Sequence, residues 1–552
     1  MGNVAAWVKR PTSVPGLDPL GSQAPCINLY GQLVPGITNV TDRARYYSLY
    51  PWFVWAFDKR EPKGNLARFE ELYRRADCLL TLIAEHHARS TDQNDERHGT
   101  AMVGRLKLLP ALSALEKGKK LRLSDYATRE EVSTRYFMNR LGGLGQYYAG
   151  TLYELGLMEG GGQSWMKYTK ERGAVIAQSV DKAVDSALFF RTINEDSIAL
   201  DRLAKLSAFC PCQLGKSKEE HEFLVDMFFD QKGIYGEEGR HRRLSLGLLL
   251  QLVNDIRDQD INDANLSTFR ACVYGCSLGK QRVWTLPELL RPTQAGWAIY
   301  QRNEMLSLSA QTVFCVGLHL LRAQEQQFDT VEEFGRWFAK CDVVTKAVKL
   351  LKANSFAQAL SGTRKKLPTL ANWENEQHEC QLCESMLSLY YKDFRNPPLV
   401  EVVAGALRLV IALAARENSE HPPYGAMPFQ EGFLADYPIN LISFREAVSK
   451  TWPGFSIQEL AAWLVMEWGL NTHLQVALRK FRHASYSTFR VRPTDRGLLV
   501  ENEVVPPART NPRIWQAFQV LMDLGVTARD AKSDYLVLTK LGAKLLEEVR
   551  GS

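Results

Sequence analysis

Most of this chain repeats its apolar residues at the 3.6-residue period of an α-helix, and few folds are compatible with that pattern. The segments "LARFEELYRRADCLLTLIAEHHA" (from Leu66), "KEEHEFLVDMFF", "RLSLGLLLQLVNDI", "WAIYQRNEMLSLSAQTVFCVGLHLL", "TVEEFGRWFAKCD" and "SIQELAAWLVMEWGLNTHLQVALRKF" all carry it. Strand-like alternation is rare. Its clearest case is "STFRVRPTDRGLLVENEVV", Ser487 to Val505, where Thr-Asp-Arg-Gly makes a hairpin turn. The expected class is mainly α, a multi-domain helical scaffold with small β-hairpins. At 552 residues the chain exceeds one ordinary core, so two to four domains are expected.

Composition narrows the setting. Hydrophobic content of 45% and charged content of 24% are those of a soluble globular protein. A net charge of +6 permits an anionic partner without demanding one. The N-terminus has no apolar run behind basic residues, and Ala6 breaks the myristoylation pattern that Met1-Gly2 begins. The longest apolar run, from Pro398, is interrupted by Glu401 and Arg408 and is short for a membrane span. With ten scattered cysteines, the expectation is a cytoplasmic protein with reduced thiols and no membrane partner.

The stretch "RYYSLYPWFVWAF", Arg45 to Phe57, raises the question of a binding surface, a membrane anchor or a core helix. Tyr46, Tyr50, Phe53 and Phe57 form one stripe of a helix. Trp52 and Trp55 lie on a second face, and Tyr47 with Val54 on a third. A helix apolar nearly all round is buried or spans a membrane. Charges at Arg43, Arg45, Asp58, Lys59 and Arg60 close the segment too tightly for a span. A buried helix is expected, starting at Thr41 or Asp42, with Pro51 kinking it or restarting it.

One internal similarity organises the rest. "LYELGLMEGGGQSWMKYTKERGAVIA" (Leu152 to Ala177) and "LMDLGVTARDAKSDYLVLTKLGAKLL" (Leu521 to Leu546) share a Leu-Gly-aliphatic helix stop and a polar, turn-rich stretch. A Tyr, a Thr-Lys and a glycine in a last helix follow in each. Gly156 and Gly525 suit the left-handed stop, and Thr169 and Thr539 suit helix caps. Each copy resembles the end of a winged-helix domain: helix, wing, closing helix. The expected division is an extended arm plus helical domain at 1–125 and a winged-helix-like segment at 126–200. A central helical domain follows at 201–470, then a basic hairpin with a second winged-helix-like domain at 471–552.

The strongest basic-aromatic segment is "LRKFRHASYSTFRVRPTDR", Leu478 to Arg496. Guanidinium groups bind phosphate in a bidentate fashion and aromatic faces stack bases. Arg479, Lys480, Arg482, Arg490, Arg492 and Arg496, with Arg513 at the start of the next helix, are therefore the candidate nucleic-acid contacts. In a strand, Arg490, Arg492 and Arg496 share a face if alternation holds. A solvated helix face and hairpin is the alternative. Two smaller basic runs, around Lys117 to Arg122 and Arg240 to Arg243, read as solvated surface.

Catalytic signatures are missing: the chain has no G-x-S-x-G, P-loop, H-E-x-x-H or dinucleotide fingerprint. No cofactor is expected. The metal candidate is "HECQLCE", with His378, Cys380 and Cys383, against the reading of two half-buried thiols and a surface histidine. Cys210/Cys212 and Cys272/Cys276 lack knuckle spacing, and His86-His87 reads as a pair suited to a helix C-terminus. Asp255, Asp258, Asp260 and Asp263 form a carboxylate cluster able to hold Mg²⁺ if brought together. A polar loop ending a helix explains them as well.

The segments "PGITNVTDRARYYSLYPWFVWAF" and "HLQVALRKFRHASYSTFRVRP…PPARTNPRIWQAFQVLMDLG" resemble large bacterial proteins encoded beside helicases and nucleases in anti-phage defence neighbourhoods. The resemblance implies a non-catalytic accessory subunit of a defence system. Its partners would be nucleic acid, DNA first, and other subunits such as a helicase or nuclease. A protein-only scaffold and a divergent metal-dependent nuclease stand as alternatives.

Overall fold

The computed structural model describes residues 12–13 and 18–551, apart from 62–64, 92–97, 99, 161–165, 257–263, 325, 418–432, 484–485 and 502. Helix takes 64% of the chain and strand 6%, so the mainly α expectation holds. Among the described residues the strands form only two-stranded pairs. All ten cysteines carry free thiols.

The chain folds into two compact units, both discontinuous in sequence. One comprises Met1–Gly31 with Ser267–Thr510, the other Gln32–Leu266 with Asn511–Ser552. The boundaries between the units fall after Gly31, Leu266 and Thr510. Both helix–hairpin–helix copies belong to the second unit.

In the second unit the aromatic stretch is a core helix, Tyr46–Arg60, continuous across Pro51. It starts four or five residues later than expected because the backbone N–H groups of Arg43 and Ala44 donate to the Tyr148 hydroxyl and the Asp523 carboxylate instead of to helical carbonyls. Arg43 pairs with Asp523 at 2.9 Å. Arg45 grips both carboxylate oxygens of Glu220 at 3.1 Å. Trp52 lies against Phe189 and Phe209 and donates its indole N–H to Asp181. Each such ring removes enough apolar area from water to contribute about 1.5–3 kcal/mol. The Leu66–Ser90 helix is capped by Asn65, whose side chain accepts from Arg68 N–H. Its Asp77 points into a cluster of tyrosines. Arg74, one turn earlier, donates to the carbonyls of Ala127, Thr128, Phe137 and Asn139, pinning that loop.

The two repeated copies fold alike. Gly156 and Gly525 have φ of +65° and +63°, the conformation a left-handed helix stop requires. Short strands follow, Met158–Glu159 with Lys167–Tyr168 and Thr527–Arg529 with Leu536–Leu538. The hydroxyls of Thr169 and Thr539 each donate to that glycine's carbonyl at 2.7 Å and accept from the closing helix.

The first unit is organised by the Arg291–Ala323 helix. This helix is long and apolar enough to cross a membrane, but 94% of its apolar window is buried in the fold. It carries charge inward. Glu304 meets Arg270, Arg509 and Thr510, and Arg302 meets Glu417. The run from Pro398 is the buried helix Leu399–Arg416, whose Arg416 pairs with Glu379. The expected hairpin forms at Val491–Thr494 and Gly497–Val500, with Gly497 at φ +87° closing the turn. Residues Thr12–Ser13 pair in parallel with Tyr486–Ser487, so part of the arm is a strand.

Candidate nucleic-acid interface

The Thr472–His483 helix and the hairpin after it carry the predicted arginine segment, all in the first unit. His473 anchors it. Its Nδ1–H donates to the Pro19 carbonyl at 3.0 Å, and its Nε2 accepts the Arg490 backbone N–H at 2.8 Å. Burial pushes this imidazole down to about 4, so it is neutral and fixed in one tautomer.

The seven candidate residues do not form one face. Arg482 and Arg496 are exposed, Arg482 on the helix and Arg496 in the turn. Arg479 stacks over Tyr437 and donates to the Asp436 carbonyl. The Lys480 ammonium donates to the Asp18 carbonyl, and burial lowers its pKa. Arg492 is bonded to Glu501 at 2.9 Å. Arg490 precedes the paired strand and is 3% exposed, so the expected alternation does not bring it onto a face with Arg492 and Arg496. It lines a cavity of about 430 Å³ with Asp18, Gln311, Cys315, Pro506 and Arg509. Arg513 lies in the other unit and donates to the Val34 carbonyl.

A second basic surface in the first unit escaped the sequence reading. The helices Asp342–Leu351 and Phe356–Arg364 both pack on Leu399–Arg416. They leave Lys346, Lys349, Lys352, Arg364, Lys365 and Lys366 exposed. Arg408 from the supporting helix reaches the Leu350 carbonyl beside them. Asp342 is the one carboxylate in that stretch, and it pairs with Lys346. The signal was present as charge spacing, but without interleaved aromatics it resembled ordinary helix surface. Nearly all of the chain's net +6 belongs to this unit.

The remaining sequence candidates are mostly structural. His378 is fully buried, not a surface residue. Its Nδ1 caps the Glu379–Lys392 helix and its Nε2 faces the Leu370 carbonyl. Cys380 and Cys383 are buried, and burial raises both thiols. On the Arg291–Ala323 helix, Cys315 donates to the Val505 carbonyl and His319 pairs with Tyr390. Asp258, Asp260 and Asp263, the acids of a nuclease reading, lie outside the described residues. In the other basic runs Lys117, Lys119 and Lys120 are exposed, but Arg122 is held by Asp196 and Arg242 is buried. Among the described residues, one group of histidines and cysteines has metal-site geometry: His87, His98, Cys210 and Cys212 in the second unit.

Comparison with protein-family models, with curated proteins and with solved structures finds no match to this chain.

Proposed function

We propose that this protein is a non-catalytic scaffold subunit of a bacterial anti-phage defence complex. It contacts nucleic acid, DNA first, through the basic surface of its first unit and positions an enzymatic partner. The concentration of exposed positive charge on that unit carries the reading: Lys346, Lys349, Lys352, Arg364, Lys365 and Lys366, with Arg482 and Arg496. Lysines and arginines left in water attract a polyanion by releasing its counterions, without reading sequence. The resemblance of the two segments to defence-associated proteins supports the setting.

Fluorescence anisotropy with labelled single- and double-stranded DNA tests this. Affinity is expected to fall steeply with salt. K349E/K352E/K365E and R482E/R496E are each expected to weaken binding at least about tenfold and to flatten the salt slope. Arg490 is left alone because a buried guanidinium reversed in charge would unfold its surroundings. Undiminished binding by both variants would remove this surface from the reading.

A protein-only scaffold is the second reading, favoured by one observation. If the second copy is a winged helix, Ile514–Asp523 is the helix that would enter a DNA groove, yet eight of its ten residues are buried. Association with partner subunits in high salt, without nucleic acid and unaffected by either charge-reversal variant, would establish that reading instead.

A further inference from the structure

We propose that His87, His98, Cys210 and Cys212 form a tetrahedral zinc(II) centre in the second unit. The four residues come from three separate segments. His87 sits in the last turn of the Leu66–Ser90 helix, and His98 in the loop after it. Cys210 and Cys212 flank Pro211 where a 3₁₀ turn, Pro211–Lys216, begins.

Their ligand atoms all lie within 4.8 Å of one another. Cys212 Sγ is 3.3 Å from His87 Nδ1 and 3.4 Å from Cys210 Sγ. The two imidazole rings lie with centroids 5.3 Å apart. Zn–S bonds of about 2.3 Å and Zn–N bonds of about 2.0–2.1 Å set tetrahedral edges of roughly 3.3–3.8 Å. The two closest pairs are thus at or near those edges, and a small inward movement completes the set.

The chemistry agrees. Two thiolates and two neutral imidazoles cancel the charge of a divalent ion. That neutrality suits a site where His98 is 1% and Cys210 0% exposed. Tetrahedral N₂S₂ ligation favours zinc among the common divalent ions. Gln213 Nε2 approaches the Cys212 sulfur at 3.1 Å, a supporting bond of the kind that orients thiolates.

The backbone is set for the ion as well. Arg45 donates to the carbonyls of Ala208 and Cys210, both at 2.6 Å, while Glu220 holds the guanidinium from the other side. Cys212 also lines a cavity of about 230 Å³ with His221, Gly215 and Asp523, which gives an entry path. A closed set of four protein ligands leaves no open position for substrate, so the centre is structural. It fastens His98 and the end of the Leu66–Ser90 helix to the 210–212 turn.

The test uses the full chain, expressed and purified without added metal or chelator. Mass spectrometry of the metal content is expected to find about one zinc per chain. Cobalt(II) exchanged into the protein is expected to show strong visible d–d bands and near-ultraviolet sulfur-to-cobalt charge transfer. C210S/C212S should lose both signals, and C380S/C383S should keep both. Should the first variant fail to fold, His98→Ala provides the second measurement, with zinc affinity lowered at least about tenfold and an altered cobalt spectrum. Protein that neither carries zinc nor binds cobalt in this way overturns the proposal, as does a Cys210–Cys212 disulfide in anaerobically purified chain.

Discussion

Asp77 is fully buried, and its carboxylate accepts from the hydroxyls of Tyr50 and Tyr136 and from the Gly143 N–H. Burial raises its pKa to about 6 against the pull of those donors and of Arg74. A carboxyl raised in the folded state holds its proton more tightly there than in the unfolded chain. Its contribution is therefore full below the unfolded value of 3.8 and is lost as pH climbs through about 6. The loss is on the order of 3 kcal/mol. Asp77→Asn keeps an acceptor for Gly143 and Tyr136 and cannot ionise. Urea unfolding at about pH 4 and about pH 7 is expected to show a smaller pH-dependent drop for the variant, by roughly that amount. None of this was legible from a single aspartate inside an amphipathic helix. The same limit applies to the arginines. The sequence marks a positive charge but not whether a carbonyl, a carboxylate or water faces it, so Lys480 and Arg492 read as surface while engaged within the fold. The metal ligands were hidden for another reason. His98 and Cys210 are far apart in sequence, and Cys-Pro-Cys is not a recognised ligand spacing.

At the scale of elements much more was readable, because helices and hairpins are written in local spacing. The Lys218–Phe229 helix matches its expected segment end to end, and the Thr-Asp-Arg-Gly turn closes the hairpin expected of it. The duplicated motif was visible as a pattern of glycine, threonine and lysine, and the structure shows what the pattern protects. A Cβ on Gly173 would fall 2.1 Å from the Leu157 carbonyl oxygen, and one on Gly542 the same distance from that of Val526. Each of those oxygens already accepts the backbone N–H of the capping threonine. Gly173→Ala and Gly542→Ala must each push the closing helix away from its hairpin. Each is expected to cost about 1–3 kcal/mol in denaturant melts, with similar values for the two sites. A large inequality would mean that the copies are alike in outline only. What local spacing did not reveal is which face a motif turns inward: the Ile514–Asp523 helix, which a winged-helix reading would turn toward DNA, has the burial of a core helix.

Across the whole molecule, the two units are each assembled from stretches distant in sequence, which consecutive composition shifts could not disclose. Residues 511–552 complete the unit that begins at Gln32. Asp523 neutralises buried Arg43, and the Leu524 carbonyl faces His221 at 2.7 Å. A chain ending at Thr510 leaves Arg43 buried without its carboxylate, a loss of about 3–5 kcal/mol before any apolar exposure is counted. Its far-ultraviolet melt is expected to lose the transition of that unit and retain the other's. Two full-height transitions would show that the segment is dispensable. The interleaving also sets a schedule during synthesis. About 245 residues, the bulk of the other unit, leave the ribosome between Leu266 and Asn511. At about 5–20 residues per second that interval lasts on the order of ten to fifty seconds. Throughout it the nascent Gln32–Leu266 segment holds Arg43 and the Gly236–Ile256 helix without the C-terminal pieces that pair with them, while a second core forms on the same thread. Slower elongation lengthens that exposure instead of relieving it, so the folding yield of this protein is tied to chaperone occupancy and growth temperature.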